Sequence, residues 1–258
     1  MRRVSEGLQR LIEANAALWA GEAEVVRSYW DSPGRNRETD RLWIERQMYK
    51  EFWDGFSVAF DKIKNNLPRL ERGMTRYEFL DVSEVMYEEL AHYCLFADVY
   101  DAICGEGVES LDPQRLKESG DWKENKELMA LRKEHKKLHG EWGARAHAFT
   151  EGGYCTLYLE AMKLKGRGGI DDLIADACGK VYEDEFDHML AGIAGMDGTL
   201  EVSQWDLLAQ LTADQMRSRI LMRNAQFGYP VASERIEELI AGKCEPLAFD
   251  YERAGLQS

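Results

Sequence analysis

Proline is scarce in this chain, with five in 258 residues. Long stretches therefore carry no helix breaker, and they are rich in Ala, Leu, Glu, Lys, Arg and Met, which are good helix formers. Cysteine is equally thin. Its five copies (Cys94, Cys104, Cys155, Cys178, Cys244) are odd in number and scattered, with no C-x-x-C. That pattern excludes a cysteine-based zinc or iron–sulfur site and fits reduced thiols in a cytoplasm. Positive charge is in deficit, 33 Lys and Arg against 47 Asp and Glu, a net charge of −14. Electrostatic binding to nucleic acid or to an anionic membrane needs a basic surface, so neither is expected. No run approaches the ~18 apolar residues of a membrane span. No apolar segment follows Met1-Arg2-Arg3-Val4, so no signal peptide is expected. Strand-like alternation is absent beyond a few residues.

What remains is helix. Val4, Leu8, Leu11, Ile12 and Leu18 recur at helical spacing, and a helix is expected over about 4–29, broken by Asp31-Ser32-Pro33-Gly34. A second should run from 38 to 66, stopping before Pro68. Thr75-Arg76-Tyr77-Glu78 is a capping-box sequence and should open a third, to 104. The Gly-, Ser- and Asp-rich stretch 105–121 reads as a loop. One long helix is expected over 122–164, a tight turn at Lys165-Gly166-Arg167-Gly168-Gly169, and a helix over 170–195. After Gly195-Met196-Asp197-Gly198, Ser203 can cap a helix to 226, and a short one covers 232–241. The expectation is a single all-α domain over 1–258. Two helical hairpins form its bundle core, about 38–196, with flanking helices at 4–29 and 203–241.

One four-residue pattern occurs twice. Glu89-Leu90-Ala91-His92 and Glu185-Phe186-Asp187-His188 each set a carboxylate and an imidazole three residues apart, on one face of a helix. Both sit among apolar residues: Val85, Met86, Leu90, Leu95 and Phe96 around the first, Val181, Phe186, Met189 and Leu190 around the second. In an antiparallel hairpin, residues equidistant from the turn lie at one level. Glu185 is 17 residues past a turn centred near 168, and the mirror position, 151, is Glu. Glu89 is 19 past a turn near 70, and the mirror position, 51, is again Glu. Asp54 competes with Glu51, and Asp61 does so more weakly. Glu51 is preferred because it shares a face with Ile44, Met48, Gly55 and Val58. The candidate metal set is then Glu51, Glu89, His92, Glu151, Glu185 and His188. Four glutamates facing one another would repel without a cation. Oxygen ligands with some nitrogen suit iron or manganese, and the absence of thiolate argues against structural zinc.

At these residues the chain resembles the ferritin-like di-iron carboxylate proteins, over roughly residues 40–195. Their motif is a carboxylate, Glu-x-x-His, Glu, Glu-x-x-His, one element per bundle helix. The resemblance implies a ferritin-like four-helix bundle with extra terminal helices, two iron ions with manganese as the alternative, and dioxygen as co-substrate. It further implies an oxidase or oxygenase acting on a small organic molecule. Asp184, before Glu185, would orient His92, and Glu88 would do the same for His188, so Glu151 and Asp184 are the candidate catalytic residues. Neither Glu-x-x-His contains the Arg typical of soluble multicomponent monooxygenases. The resemblance leaves room for an external electron donor and for a homodimer.

Three other readings stay open: a ferritin-like iron-handling or storage protein, a haem-oxygenase-like di-metal oxidase, and a helical adaptor in which these residues form buried ion pairs. Gly152-Gly153, expected in mid-helix, fits close packing, room beside the metal, or a local bulge. Phe52, Trp53, Tyr93, Phe149, Tyr154 and Tyr158 are expected mostly as core. His135 and His139 lie in Lys/Glu-rich sequence and should be solvated, whereas His147, four residues before Glu151, could approach the site. Arg217, Arg219, Arg223 and Asn224 should form a solvated face, with anchoring of a substrate carboxylate as the alternative.

Overall fold

Capping residues start the helices close to where the sequence puts them. In the computed structural model, which describes residues 2–106, 109, 111–119, 122–191 and 200–257, Ser5 accepts the Leu8 N–H at 3.2 Å and opens α1, Glu6–Trp30. Asn36 and Thr39 cap each other at the head of α2, Arg37–Tyr49. The helix then widens into a π-helical turn, Lys50–Phe56, and resumes as α3, Ser57–Asn66. Thr75 and Glu78 form the expected reciprocal capping box of α4, Arg76–Cys104. Then follow α5, Pro113–Ser119, α6, Lys123–His139, α7, Glu141–Thr150, and a 3₁₀ turn, Gly153–Cys155. The chain continues as α8, Thr156–Met162, α9, Ile170–Ala191, α10, Val202–Gln226, and α11, Ser233–Ile240. The fold is all-α. Among the described residues, β structure is confined to a parallel pairing of Arg2–Arg3 with Leu256–Gln257 and one bridge, Leu70 to Met74. No described helix is long and apolar enough to cross a membrane.

Three expectations need correction. The stretch 105–121 is not wholly loop, because Pro113 opens α5 and the Asp112 side chain accepts the Gln114 and Arg115 N–H groups. The continuous helix expected over 122–164 is broken twice. Gly140 (φ 57°) turns the chain between α6 and α7, and Gly153, Tyr154 and Cys155 all take φ 56° between α7 and α8. Glu201, not Ser203, caps α10. The expected end of α9 at 195 and the turn at 195–198 lie outside the described residues.

Contacts divide the chain into two units: Met1–Arg35 with Lys123–Leu164 and Cys178–Ser258, and Asn36–Trp122 with Lys165–Ala177. In the first, α1 packs along α10, which also packs on α6 and α7. Leu11, Trp19, Val25, Val26, Met216 and Ile220 fill that core. Asn15 donates to Thr212 Oγ1 at 2.9 Å across the α1–α10 interface. In the second, α2, the π-turn and α3 run against α4, and α5 packs on α2. Phe52, Phe56 and Phe60 form a ladder of rings, centroids 5.1 and 6.0 Å apart, with Tyr93 5.1 Å from Phe52.

The core of the first unit holds a cluster of three charges between α1 and α10. Glu22 of α1 accepts from Arg219 Nε at 2.9 and 3.1 Å and from Arg223 Nε at 2.9 Å. All three side chains are buried, at 0, 2 and 1 % exposure. Arg219 and Arg223 are therefore not the solvated face expected from sequence; they are a buried pair sharing one carboxylate. Only Arg217, bonded to Asp214 at 2.7 Å, behaves as expected, while Asn224 both donates to and accepts from the Val231 backbone.

Burial pushes the Glu22 carboxyl up, but the two guanidiniums pull it further down, below the usual 4.5. A folded pKa below the unfolded one means that the unfolded chain takes up the proton first. The contribution is whole above about pH 4.5 and drains away as pH falls below it. Glu22→Ala should cost about 3–5 kcal/mol, because two buried cations lose their carboxylate. Urea unfolding at neutral pH measures that loss, and unfolding between pH 5 and 3 should show a flatter pH dependence for Glu22→Gln than for wild type.

Candidate functional site

Three of the six candidate ligands lie in the second unit. Glu51 sits in the first turn of the π-helical segment, 4 % exposed, and accepts a hydrogen bond from Gln47 Nε2. Its Oε2 is 3.7 Å from Nδ1 of His92, which is 1 % exposed. Burial raises the Glu51 carboxyl, but His92 outweighs it and holds the group below 4.5. Glu89, also buried, occupies the space over Gly55. A Cβ on Gly55 would lie 2.0 Å from Glu89 Oε2. Asp54 is half-buried and Asp61 is exposed. Met48 and Ile44 share the inward face with Glu51 as expected, but Val58 does not, being 58 % exposed. Val85 and Leu90 beside the motif are likewise exposed.

The other three lie in the first unit. Glu185 is buried on α9, with Asp184 and His188 half-buried beside it. Glu185 Oε2 occupies the space over Gly152, 3.1 Å from where a Cβ would stand. Glu151 lies just past the end of α7, its side chain 44 % exposed, with Oε1 3.7 Å from His147 Nε2. His147, whose spacing allowed it to approach the site, lies beside Glu151. Mirror counting across the turn at 168 assumed a straight helix through 151–164, and that premise fails. The helix ends at Thr150, and the chain turns left-handed from Gly153.

The break has a cause that lies far away in sequence. The last carbonyls of a helix have no partner within it. Arg132 Nη2 donates to the Thr150 carbonyl at 3.0 Å, and Arg219 Nη1 donates to the Glu151 carbonyl. Both arginines are buried, and their cationic forks take over carbonyls that α7 would otherwise have passed onward. Thr150 Oγ1 donates to Gln215 Oε1 at 2.7 Å, and Gln215 Nε2 lies 3.1 Å from His135 Nδ1. His135 is thus buried rather than solvated, and burial pushes its pKa down. His139 is half-buried, its ring centroid 6.2 Å from that of His135.

Cys155 is fully buried, and burial pushes its thiol up. Tyr154 stacks on Trp19 at 4.6 Å, donates to the Ala248 carbonyl at 3.2 Å and accepts the Asp250 N–H at 2.7 Å. Burial pushes its hydroxyl up to about 12. Phe149 packs 5.9 Å from Trp19, and Tyr158 is buried, so these rings are core as expected. Trp53 donates to the Pro113 carbonyl at 2.8 Å.

Sequence reasoning missed Glu22, Arg132 and Arg219 as the residues that shape the chain around Glu151. Their only local signal is charge at positions that also satisfy a buried helix face. It also missed the role of Gly55, whose signal is a glycine four residues after a candidate ligand.

No protein-family model matches the chain, and no curated protein or solved structure does.

Gly153 should tolerate no side chain. Its φ of 56° disfavours one, and a Cβ would stand 2.3 Å from Arg219 Nε and 2.5 Å from Glu22 Oε2. Gly153→Ala should therefore lower stability by at least about 2 kcal/mol. Gly166→Ala, whose Cβ would meet nothing within 4 Å, should cost about 1 kcal/mol from backbone strain alone. Equilibrium denaturation of the two variants makes the comparison.

Proposed function

We propose that this protein is a dioxygen-dependent di-iron oxidase or oxygenase of ferritin-like architecture, acting on a small organic molecule. One observation carries the reading. Each half of the candidate set repeats the same local device, although the two halves share no local sequence beyond Glu-x-x-His. In each, the helix bearing the lone glutamate departs from α-geometry near that residue, through a π-turn that includes Glu51 and through the end of α7 before a left-handed turn that begins at Gly153. In each, a glycine of that departing segment, Gly55 or Gly152, leaves its Cβ position to the carboxylate of a Glu-x-x-His glutamate. Irregular helix geometry costs stability and collects at functional sites. Buried carboxylates need cations.

In this reading Glu51, Glu89, His92, Glu151, Glu185 and His188 would together hold two metal ions. The donor set, carboxylate oxygen with one imidazole for each ion, suits iron, with manganese as the alternative. When bound, the metal pair supplies the redox chemistry by which dioxygen oxidises the substrate. The chain's own part is positional. By the resemblance, His92 and His188 would each ligate through one ring nitrogen, and Asp184 and Glu88 would take the other N–H and orient each ring. Glu151, its side chain 44 % exposed, would be the ligand nearest solvent. A reducing protein in the cytoplasm would supply electrons.

Protein reconstituted anaerobically with ferrous iron should hold about two ions per chain, measured by elemental analysis. Less than half an equivalent would overturn the reading. Gly55→Ala separates geometry from ligand count, because it displaces Glu89 and removes no ligand. It should weaken metal binding by about 10–100-fold while leaving helical content intact, read by metal titration beside circular dichroism. Unchanged affinity would take Glu89 out of the set. His188→Ala and Glu151→Ala should abolish oxygen uptake by the reduced protein and leave it folded. Normal metal loading in both would assign the ligands elsewhere.

A further inference from the structure

The helix that carries Glu89 and His92 inward has a second ordered face outward. Along α4, positions 77, 80, 84, 87, 91, 94, 98 and 101 recur at alternating steps of three and four, the spacing of a helix–helix seam. Glu89, His92 and Phe96 are buried on the opposite side. On the outward stripe Tyr77 is 72 %, Leu80 51 % and Tyr87 71 % exposed, and Cys94 is exposed. Large apolar side chains at this spacing on a solvent face mark an interaction surface.

The occupant is indicated by charge and by size along the same stripe. The segment from the end of α3 through the turn to the first residue of α4, residues 61–76, carries Lys62, Lys64, Arg69, Arg72 and Arg76 against only Asp61 and Glu71. From Tyr77 to Cys104 there are seven carboxylates and no Lys or Arg. The helix is therefore basic at its entrance and acidic along its length. A parallel partner of the same kind would set acid against acid. An antiparallel copy would set each basic entrance against the acidic end of the other.

The geometry points to an isologous dimer in which α4 of one copy pairs antiparallel with α4 of a second, about a two-fold axis midway between Glu84 and Tyr87. That axis sets Tyr77 opposite Cys94 and Leu80 opposite Ala91, a large side chain facing a small one at each level. It sets Glu84 opposite the Tyr87 hydroxyl, a polar pair that fixes register as a lone polar residue does in a coiled-coil seam. It also brings Asp98 and Asp101 level with residues 73 and 70 of the basic turn. The inference stands apart from the metal reading, because every residue it uses lies on the face away from Glu89 and His92.

The test uses the full-length chain. Wild type should sediment as a dimer at micromolar concentration. Leu80→Glu with Tyr87→Glu, both exposed and so without effect on the fold, should raise the dimer Kd by more than about tenfold. Asp98→Lys with Asp101→Lys should weaken the dimer, and Arg72→Glu with Arg76→Glu added to them should restore it. Tyr77→Cys should give a covalent dimer with native Cys94 under a mild oxidant, lost when Cys94→Ser is added. A monomer at every concentration would overturn the proposal. So would a dimer indifferent to Leu80 and Tyr87, or a Tyr77→Cys variant that does not cross-link.

Discussion

Arg219 is the residue on which the first unit turns. Its guanidinium is buried, so it must be paired on every side, and it reaches two partners at once. One edge meets Glu22 of α1, and the other meets the backbone carbonyl of Glu151. The first contact locks α1 to α10. The second removes the carbonyl that would have carried α7 onward, and with Arg132 on the preceding carbonyl it makes the end of that helix affordable. The left-handed residues that follow are strained wherever they are not glycine, at Tyr154 and Cys155. Tyr154 is held there by its stack on Trp19 and by two hydrogen bonds to the C-terminal segment. An ion pair, a helix end and a strained turn are thus one structure.

The two halves of the candidate set meet the same difficulty in different ways. A glutamate on a straight α-helix presents its carboxylate at the pitch of the helix, and a carboxylate on a neighbouring helix competes for that space. In the second unit the helix widens by a π-turn and gives up a side chain at Gly55, so that Glu89 lies against the backbone. In the first, the helix ends and Gly152 gives the same room to Glu185. Both solutions give up regular hydrogen bonding at the point where the buried acids must be accommodated. The difference shows in exposure, since Glu51 is sealed and Glu151 is open to solvent on one side.

Helix α4 joins the candidate site to the outer surface. One face carries Glu89 and His92 inward, and the other carries an apolar and acidic stripe outward, about half a helical turn away. Because the helix is rigid, a partner seated on the stripe would bear on the position of the inward ligands.

Much of this was legible in the sequence, and for local reasons. The capping box at Thr75, the stop before Pro68 and the all-helical class follow from residues that act on their neighbours within one turn. Glu51, Glu89, His92 and Glu185 are buried, although Val58, Val85 and Leu90, three of the apolar neighbours that pointed to it, are exposed. The break after Glu151 was not legible, because two glycines mark it only as permitted. It is made obligatory by Arg132 and Arg219, respectively 19 residues before and 68 after. The burial of His135, Arg219 and Arg223 was hidden for the same reason, since each is satisfied by a partner on another helix. A sequence determines directly what one turn of helix can settle by itself. Which buried polar groups find partners is decided only when distant helices pack, because an unpaired buried charge is too costly to be placed by local preference.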